Sequence, residues 1–275
     1  MIDADYIRAM AATAKVSPGM IEKDYILSKT IMALSQLDEF QNNLIFKGGT
    51  ALKKCHYPTW RFSEDLDFTA INKLSPVQIN ELFDSAVKRV ESLFGVIIRV
   101  TEYSQYPREG SVIVSAQLKL GYDGPLRKTS GLKNNIRVDI SLDEKLIARP
   151  LMKEVNRQYP DDITAIIPVY TLEEIIAEKL RSILQRGKSR DYYDVWILLK
   201  NCSNDFDAKL IVDIMKKKCH DKGIEAPTID DFFQPERIGE AQRYWERGLA
   251  HQLSNLAKFQ DVIGELRTIL NKTKV

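Results

Sequence analysis

A chain of 275 residues, 44% apolar and 28% charged, is long enough for one large domain or two lobes around a substantial core. Its net charge of +2 carries no compositional sign of a nucleic-acid binder, and no run approaches the ~18 apolar residues of a membrane span. The start Met1-Ile2-Asp3-Ala4-Asp5 lacks the basic and apolar regions of a signal peptide, and Cys55, Cys202 and Cys219 are too scattered for a disulfide framework, so a cytoplasmic protein with no membrane partner is expected.

Residues 3 to 37 carry two helical patterns separated by Val16-Ser17-Pro18-Gly19, with Ser17 and Pro18 suited to the N-cap and first helical position of the second. Glu22, Lys23 and Asp24 in that second helix are assigned to packing or surface. Leu44, Ile45 and Phe46 then read as a short buried strand. Gly48 and Gly49 release the backbone from side-chain sterics, and a helix-capable segment begins at Thr50. A strand, a Gly-Gly turn and a helix start aim backbone N–H groups at one point, which predicts an anion-holding turn.

Asp65-Leu66-Asp67-Phe68 follows, and its period of two puts both carboxylates on one face of a strand and the apolar residues on the other. Two such carboxylates repel unless a cation lies between them, and hard oxygens on a rigid strand suit Mg²⁺. Ser75-Pro76 opens an amphipathic helix to about Phe94. Strands are expected at Val96 to Val100, Ser111 to Tyr122 and Asn135 to Leu142. In the last of these Ile136, Val138 and Ile140 face one way, and Arg137, Asp139 and Ser141 the other. Pairing of this strand with the Asp65/Asp67 strand would gather three carboxylates, the requirement of a two-metal transfer site. A solvent-facing Asp139 on a half-buried strand is the alternative.

Helix and loop are expected from about Pro168 onward. Thr171 and Glu174 form a capping box for a helix from Leu172 to Gln185. Lys179 falls inside its apolar stripe, where a lysine either snorkels to solvent or meets an anion, a nucleotide phosphate or a site carboxylate. Ser189 can cap the next helix, and Asp191 suits its first turn, whereas Asp194 has Ile197 and Leu198 as neighbours at three and four residues. Basic residues cluster at Arg127, Lys128 and Lys133, at Arg181, Arg186, Lys188 and Arg190, and at Lys216, Lys217 and Lys218. The 181 to 190 group reads as a candidate anion patch, and the 216 to 218 group as a solvated helix face. Further helices are expected over Leu210 to Lys217, Glu236 to Arg247 and Leu256 to Leu270, with Tyr244, Trp245, Leu249 and Leu253 in the core. Neither His56 nor His220 sits in a zinc-type spacing, and hydrolase, P-loop and Rossmann signatures are missing from the sequence.

Lys47-Gly48-Gly49-Thr50 followed by Arg61-Phe62-Ser63-Glu64-Asp65-Leu66-Asp67 resembles the first motif of the AbiEii/AbiGii toxins, nucleotidyltransferase-like toxins of bacterial toxin–antitoxin systems. Glu178-Lys179-Leu180, with Arg190-Asp191 and Asp194, resembles the later motifs of that family, so the likeness extends over most of the chain. The resemblance implies that Lys179 contacts the triphosphate and that Asp194, in preference to Asp191, holds Lys179 or the incoming nucleotide. It also implies an RNA acceptor such as a tRNA 3′ end, growth arrest, and a cognate antitoxin.

The expected architecture is α+β: a nucleotidyltransferase-like lobe with a mixed sheet over residues 1–165, and a mainly helical lobe over 166–275 that completes the active cleft. Asp65, Asp67 and Asp139 are the expected ligands of Mg²⁺, with Mn²⁺ as a substitute. Gly48, Gly49, Thr50, Arg61 and Ser63 are expected to hold the NTP phosphates, and Lys179 to offset charge on the departing pyrophosphate. Nucleotidylation of a protein hydroxyl, or a non-catalytic nucleotide- or RNA-binding module, are the alternative functions.

Overall fold

The computed structural model describes residues 1–108, 112–126, 132, 134–225 and 227–273, so Arg127, Lys128, Lys133 and the expected strand start at Ser111 lie outside the described residues. The chain divides into two units, Met1–Leu146 with Pro150–Tyr170, and Ile147–Arg149 with Thr171–Val275.

The first unit begins with α1 (Ala4–Ala14) and α2 (Pro18–Leu34). Asp3 caps α1 by accepting the Tyr6 N–H, and Ser17 caps α2 by accepting that of Met20, so each helix starts where a side-chain oxygen satisfies an orphan donor. A short α3 (Asp38–Asn43) leads into β1 (Leu44–Lys47), followed by α4 (Gly48–Ala51), a π-helical turn at Leu52–His56, and β2 (Asp65–Ala70). The helix therefore starts at Gly48, two residues before the expected Thr50. Gly48 has φ +81°, a conformation that switches the chain from strand to helix within one residue and that side chains resist. Next come α5 (Pro76–Phe94), with a capping box at Ser75 and Gln78, then β3 (Ile97–Pro107), β4 (Ile113–Asp123) and β5 (Asn134–Ser141).

Two further strands, β6 (Leu151–Glu154) and β7 (Ile166–Val169), were not anticipated from the sequence. Both are four residues long, too short for a period to register, and Pro168 reads as a breaker although it lies within β7. The seven strands run in the order β3-β4-β5-β2-β1-β7-β6. β1 is antiparallel to β2 and parallel to β7, and β2 is parallel to β5.

One face of this sheet is apolar. Leu44 and Phe46 of β1, Leu66 and Phe68 of β2, and Val138 and Ile140 of β5 form one core with Ile26 and Ile31 of α2 and with Phe83 and Val87 of α5. Phe68 anchors it, meeting Phe40 edge-on with centroids 5.5 Å apart and Phe46 at 5.4 Å. Because α2 is buried nearly all round, its charged residues need partners inside. Asp24 meets Lys54 at 2.6 Å, Lys29 meets Asp161 and Asp162 at 2.6 Å each, and Glu22 accepts the Leu126 N–H at 2.7 Å. Glu22 and Asp24 are thus packing residues, and Lys23 pairs with Glu64 at 2.8 Å.

The second unit is helical: α6 (Leu172–Arg186), α7 (Ser189–Asn201), α8 (Ala208–Asp221), α9 (Pro235–Arg243), α10 (Trp245–Leu249) and α11 (Phe259–Thr273). Thr171 caps α6 by accepting the Glu174 N–H, but the expected capping box is half-formed, since the Glu174 carboxylate instead accepts the Ile147 and Ala148 N–H groups at 3.2 and 2.8 Å. The single helix expected over Glu236 to Arg247 is broken at Tyr244, which is exposed and outside the core, whereas Trp245 and Leu249 are buried. Lys218 also departs from expectation. It is 1% exposed and bound to Glu174 at 2.8 Å, because α8 rolls it inward while Lys216 and Lys217 stay in solvent.

Candidate active site

The polar face of the sheet carries the motif residues, and the strand register decides which of them meet. In the β2–β5 ladder Asp67 stands opposite Asp139, and Asp65 opposite Arg137. On the flanking strands Asp67 is opposite Lys47, and Asp139 is opposite Gln117. Lys47, Asp67, Asp139 and Gln117 therefore form one row across four strands. Residues paired across a ladder point to the same face, so the expected alignment of Asp65, Asp67 and Asp139 on one face is present.

Like charges directly opposite one another destabilise a sheet unless compensated. Arg137 supplies compensation: its Nη2 donates to Asp65 Oδ2 at 2.8 Å, and its Nε lies 3.2 Å from Asp139 Oδ2. Partial burial alone would pull the guanidinium pKa down, but the charges of Asp65, Asp139 and Asp67 outweigh it and raise the value above normal. Gln117 Nε2 donates to Asp139 Oδ1 at 2.7 Å, fixing the other oxygen of that carboxylate.

Three carboxylates are a hard-oxygen donor set of the kind Mg²⁺ takes, so the residues fit a divalent ion in chemistry. They are not gathered into a finished cage. Among the described residues no group of three or more His, Cys, Asp or Glu side chains is arranged to hold a metal.

The Gly-Gly turn lies against these residues. A Cβ on Gly48 would come within 2.9 Å of Asp67 Cγ and closer still to Oδ2, so only glycine lets the turn approach that carboxylate. A Cβ on Gly49 would lie 3.2 Å from both Arg61 Nη2 and Ser63 Oγ, which places those two side chains on the second glycine. Thr50 Oγ1 donates to the backbone oxygen of Asp65 at 2.5 Å, locking the turn to β2. Gly48, Gly49, Thr50, Arg61, Ser63, Asp65, Asp67 and Asp139 are thus brought together within the first unit.

Two lysines beside the motif, Lys47 and Lys53, support this arrangement. Lys47 Nζ donates to Ser141 Oγ at 3.0 Å and stands over the Tyr170 ring. Lys53 Nζ donates to the backbone oxygens of Pro58 and Trp60 at 3.2 and 3.1 Å and lies 4.2 Å from the Phe62 ring centroid, tying the Arg61–Ser63 loop to the turn. Burial is the main cause that pushes Lys53 down to about 8, with Lys54 adding to it and Asp24 opposing it. Both lysines border the motif, but no period marks them. Arg137 was visible on the polar face of its strand, yet an arginine there resembles any solvated residue until the register is known.

In the second unit, Lys179 meets carboxylates and does not snorkel. Its Nζ lies 2.8 Å from Asp194 Oδ2 and 3.3 Å from Asp191 Oδ1. Asp194 is fully buried, and Asp191 also contacts Arg186 at 3.3 Å. Asp194 is the closer and more deeply buried partner, although both aspartates hold the lysine. Within the basic 181–190 group, Arg181 is buried and bonded to Gln185, Arg186 is engaged by Asp191, and Lys188 is exposed.

Comparison with known proteins places the fold and the family. In solved structures, the nucleotidyltransferase toxin MenT4 from Mycobacterium tuberculosis matches over 100% of this chain and 90% of its own, at 19% identity and a TM-score of 0.68, which shows a shared fold. An antigenic nucleotidyltransferase-like protein from Paracoccidioides brasiliensis aligns over 87% of this chain and 92% of its own at 15% identity, but with a TM-score of 0.29. No curated protein sequence matches significantly. The model of the family described as nucleotidyl transferase AbiEii toxin, type IV toxin–antitoxin system, matches residues 32–265, a span that takes in the Gly-Gly turn, the three aspartates, Lys179 and Asp194. The chain belongs to the AbiEii family of nucleotidyltransferase toxins.

Proposed function

We propose that this nucleotidyltransferase works with Mg²⁺, for which Mn²⁺ can substitute, and moves an NMP from an NTP to a hydroxyl of RNA, at a tRNA 3′ end, in the cytoplasm. Growth arrest follows until the antitoxin intervenes. Membership of a type IV toxin–antitoxin family implies an NTP substrate and a cognate antitoxin. Among the described residues no helix is long and apolar enough to cross a membrane.

The observation that carries the reading is the pairing of Asp67 with Asp139 beside a turn whose first glycine touches the Asp67 carboxylate. Asp65, Asp67 and Asp139 would hold the divalent ion, which would supply Lewis acidity at the phosphates and lower the acceptor hydroxyl's pKa. Gly48, Gly49 and Thr50 present backbone to the triphosphate. Arg61 and Ser63, seated on Gly49, orient its oxygens through charge-assisted and hydroxyl hydrogen bonds. The acceptor oxygen bonds to the α-phosphorus as the α–β bridge breaks, an in-line displacement in which positioning supplies most of the rate. Lys179, oriented by Asp194 and Asp191, offsets the charge that builds on pyrophosphate.

Incubation with each α-labelled NTP, Mg²⁺, total RNA and cell lysate tests the reading. Label in the tRNA size range is expected. Label on protein that survives ribonuclease would move the acceptor to a protein hydroxyl, and absence of label on either, from folded protein, would refute transfer to these acceptors.

A further inference from the structure

Arg137 contacts two of the three motif carboxylates, Asp65 and Asp139, and no proposed step uses it. Its backbone position is fixed, because it precedes Asp139 by two residues on β5 and stands opposite Asp65 in the ladder. Its contacts are uneven. The Nη2 bond to Asp65 at 2.8 Å is well formed, whereas Nε, 3.2 Å from Asp139 Oδ2, is buried without a properly aligned hydrogen bond. A guanidinium matched to a carboxylate makes two parallel bonds to it, and here one guanidinium is spread across two carboxylates from different strands. Its side chain is 43% exposed, so its tip has room to move. On its other side stands Lys119, opposite it in the β4–β5 ladder and held by Glu102 at 2.6 Å.

We infer that Arg137 is a built-in counter-ion, which holds Asp65 and Asp139 together in the metal-free protein and competes with the divalent ion for the same carboxylate oxygens. The inference rests on the reading of these aspartates as the metal-binding set. It accounts for two facts together: adjacent strands tolerate three carboxylates on one face, and those carboxylates are not gathered into a cage. Loading of the ion then requires the guanidinium to swing off, so Arg137 raises the metal concentration at which the site fills.

Mn²⁺ titration followed by electron paramagnetic resonance, without nucleotide, tests this on wild type, Arg137→Met, Arg137→Lys and Asp67→Asn. A neighbouring opposite charge shifts a carboxylate's proton affinity by about 1–3 pH units, so removing it should tighten Mn²⁺ binding about tenfold or more in Arg137→Met. Arg137→Lys should stay within about threefold of wild type, and Asp67→Asn should lose the site. Thermal melting supplies the second readout: Arg137→Met should melt below wild type in chelator and gain more from Mn²⁺ than wild type does. If Arg137→Met does not fold in chelator, Arg137→Gln carries the same expectations. Unchanged or weaker Mn²⁺ binding in the uncharged variant overturns the inference. If that binding still depends on Asp67, the metal-site reading survives, whereas no Mn²⁺ binding by any of the proteins removes both.

Discussion

Gly48→Ala is expected to disable the enzyme, and Gly49→Ala to leave it largely working, although the two glycines are adjacent. Gly48 sits at φ +81°, where an L side chain costs about 1–2 kcal/mol, and the added methyl would press on the Asp67 carboxylate, 2.9 Å from its Cγ. Ordinary carbon contacts are about 3.5–4.0 Å, so the carboxylate has to retreat by roughly 1 Å. A displacement of that size in a catalytic constellation costs on the order of a hundredfold in rate. Gly49 has no such backbone constraint, and the nearest atoms its new methyl would meet belong to side chains, Arg61 Nη2 and Ser63 Oγ at 3.2 Å and Ser63 Cβ at 3.6 Å. Single-turnover transfer from labelled NTP measures both variants, and circular dichroism melting separates fold from chemistry. A loss of about a hundredfold or more for Gly48→Ala against less than about tenfold for Gly49→Ala is expected. Equal losses, or a Gly48→Ala enzyme within threefold of wild type, would refute the argument that this turn must touch Asp67.

Other predictions follow from buried charges. Lys179→Met leaves the fully buried Asp194 without its cation and should cost about 3–5 kcal/mol in denaturant unfolding, with Lys179→Met/Asp194→Leu milder than the single change. A double variant no better than the single would contradict that pairing. Lys29→Met, which takes the cation from Asp161 and from the buried Asp162 carboxylate and leaves the latter with its Gln158 and Tyr159 N–H bonds, should cost about 3–5 kcal/mol, and a loss under about 1 kcal/mol would show that the ion pairs contribute little. His56 is pushed down to about 4, mainly by burial and further by Lys153. The unfolded chain therefore binds a proton that the folded chain refuses between about pH 6.5 and 4, so stability falls as pH falls through that window, by about 3 kcal/mol in all. His56→Asn should flatten that part of the curve, and an unaltered slope would rule out His56 as its source.

Much of the fold and of the candidate site was legible because it is written locally. Caps at Ser17, Ser75 and Thr171 fix helix starts within a few residues, and the alternation in Asp65–Phe68 and Ile136–Ser141 fixes which side chains share a face. What local pattern cannot specify is the partner across a ladder. That β2 pairs with β5 in the register Asp67 opposite Asp139 is a property of two segments far apart in the chain, decided by the apolar faces of Leu66, Phe68, Val138 and Ile140 packing on one core. The same reason hid Arg137 and Lys53, whose roles exist only once the loop and strands have met. Lys218 was misplaced because three consecutive lysines look solvated, while on a helix the third faces about 200° away from the first and here reaches Glu174.

Transfer by Asp139→Asn tests the account most directly, because Asp139 enters the reaction only through its neighbour across the ladder. At saturating NTP and Mg²⁺, the variant should fold and melt near wild type while incorporation of label into RNA drops by at least about a hundredfold. A well-folded Asp139→Asn enzyme that labels RNA within tenfold of wild type would contradict the claim that the paired carboxylates of β2 and β5 perform the transfer.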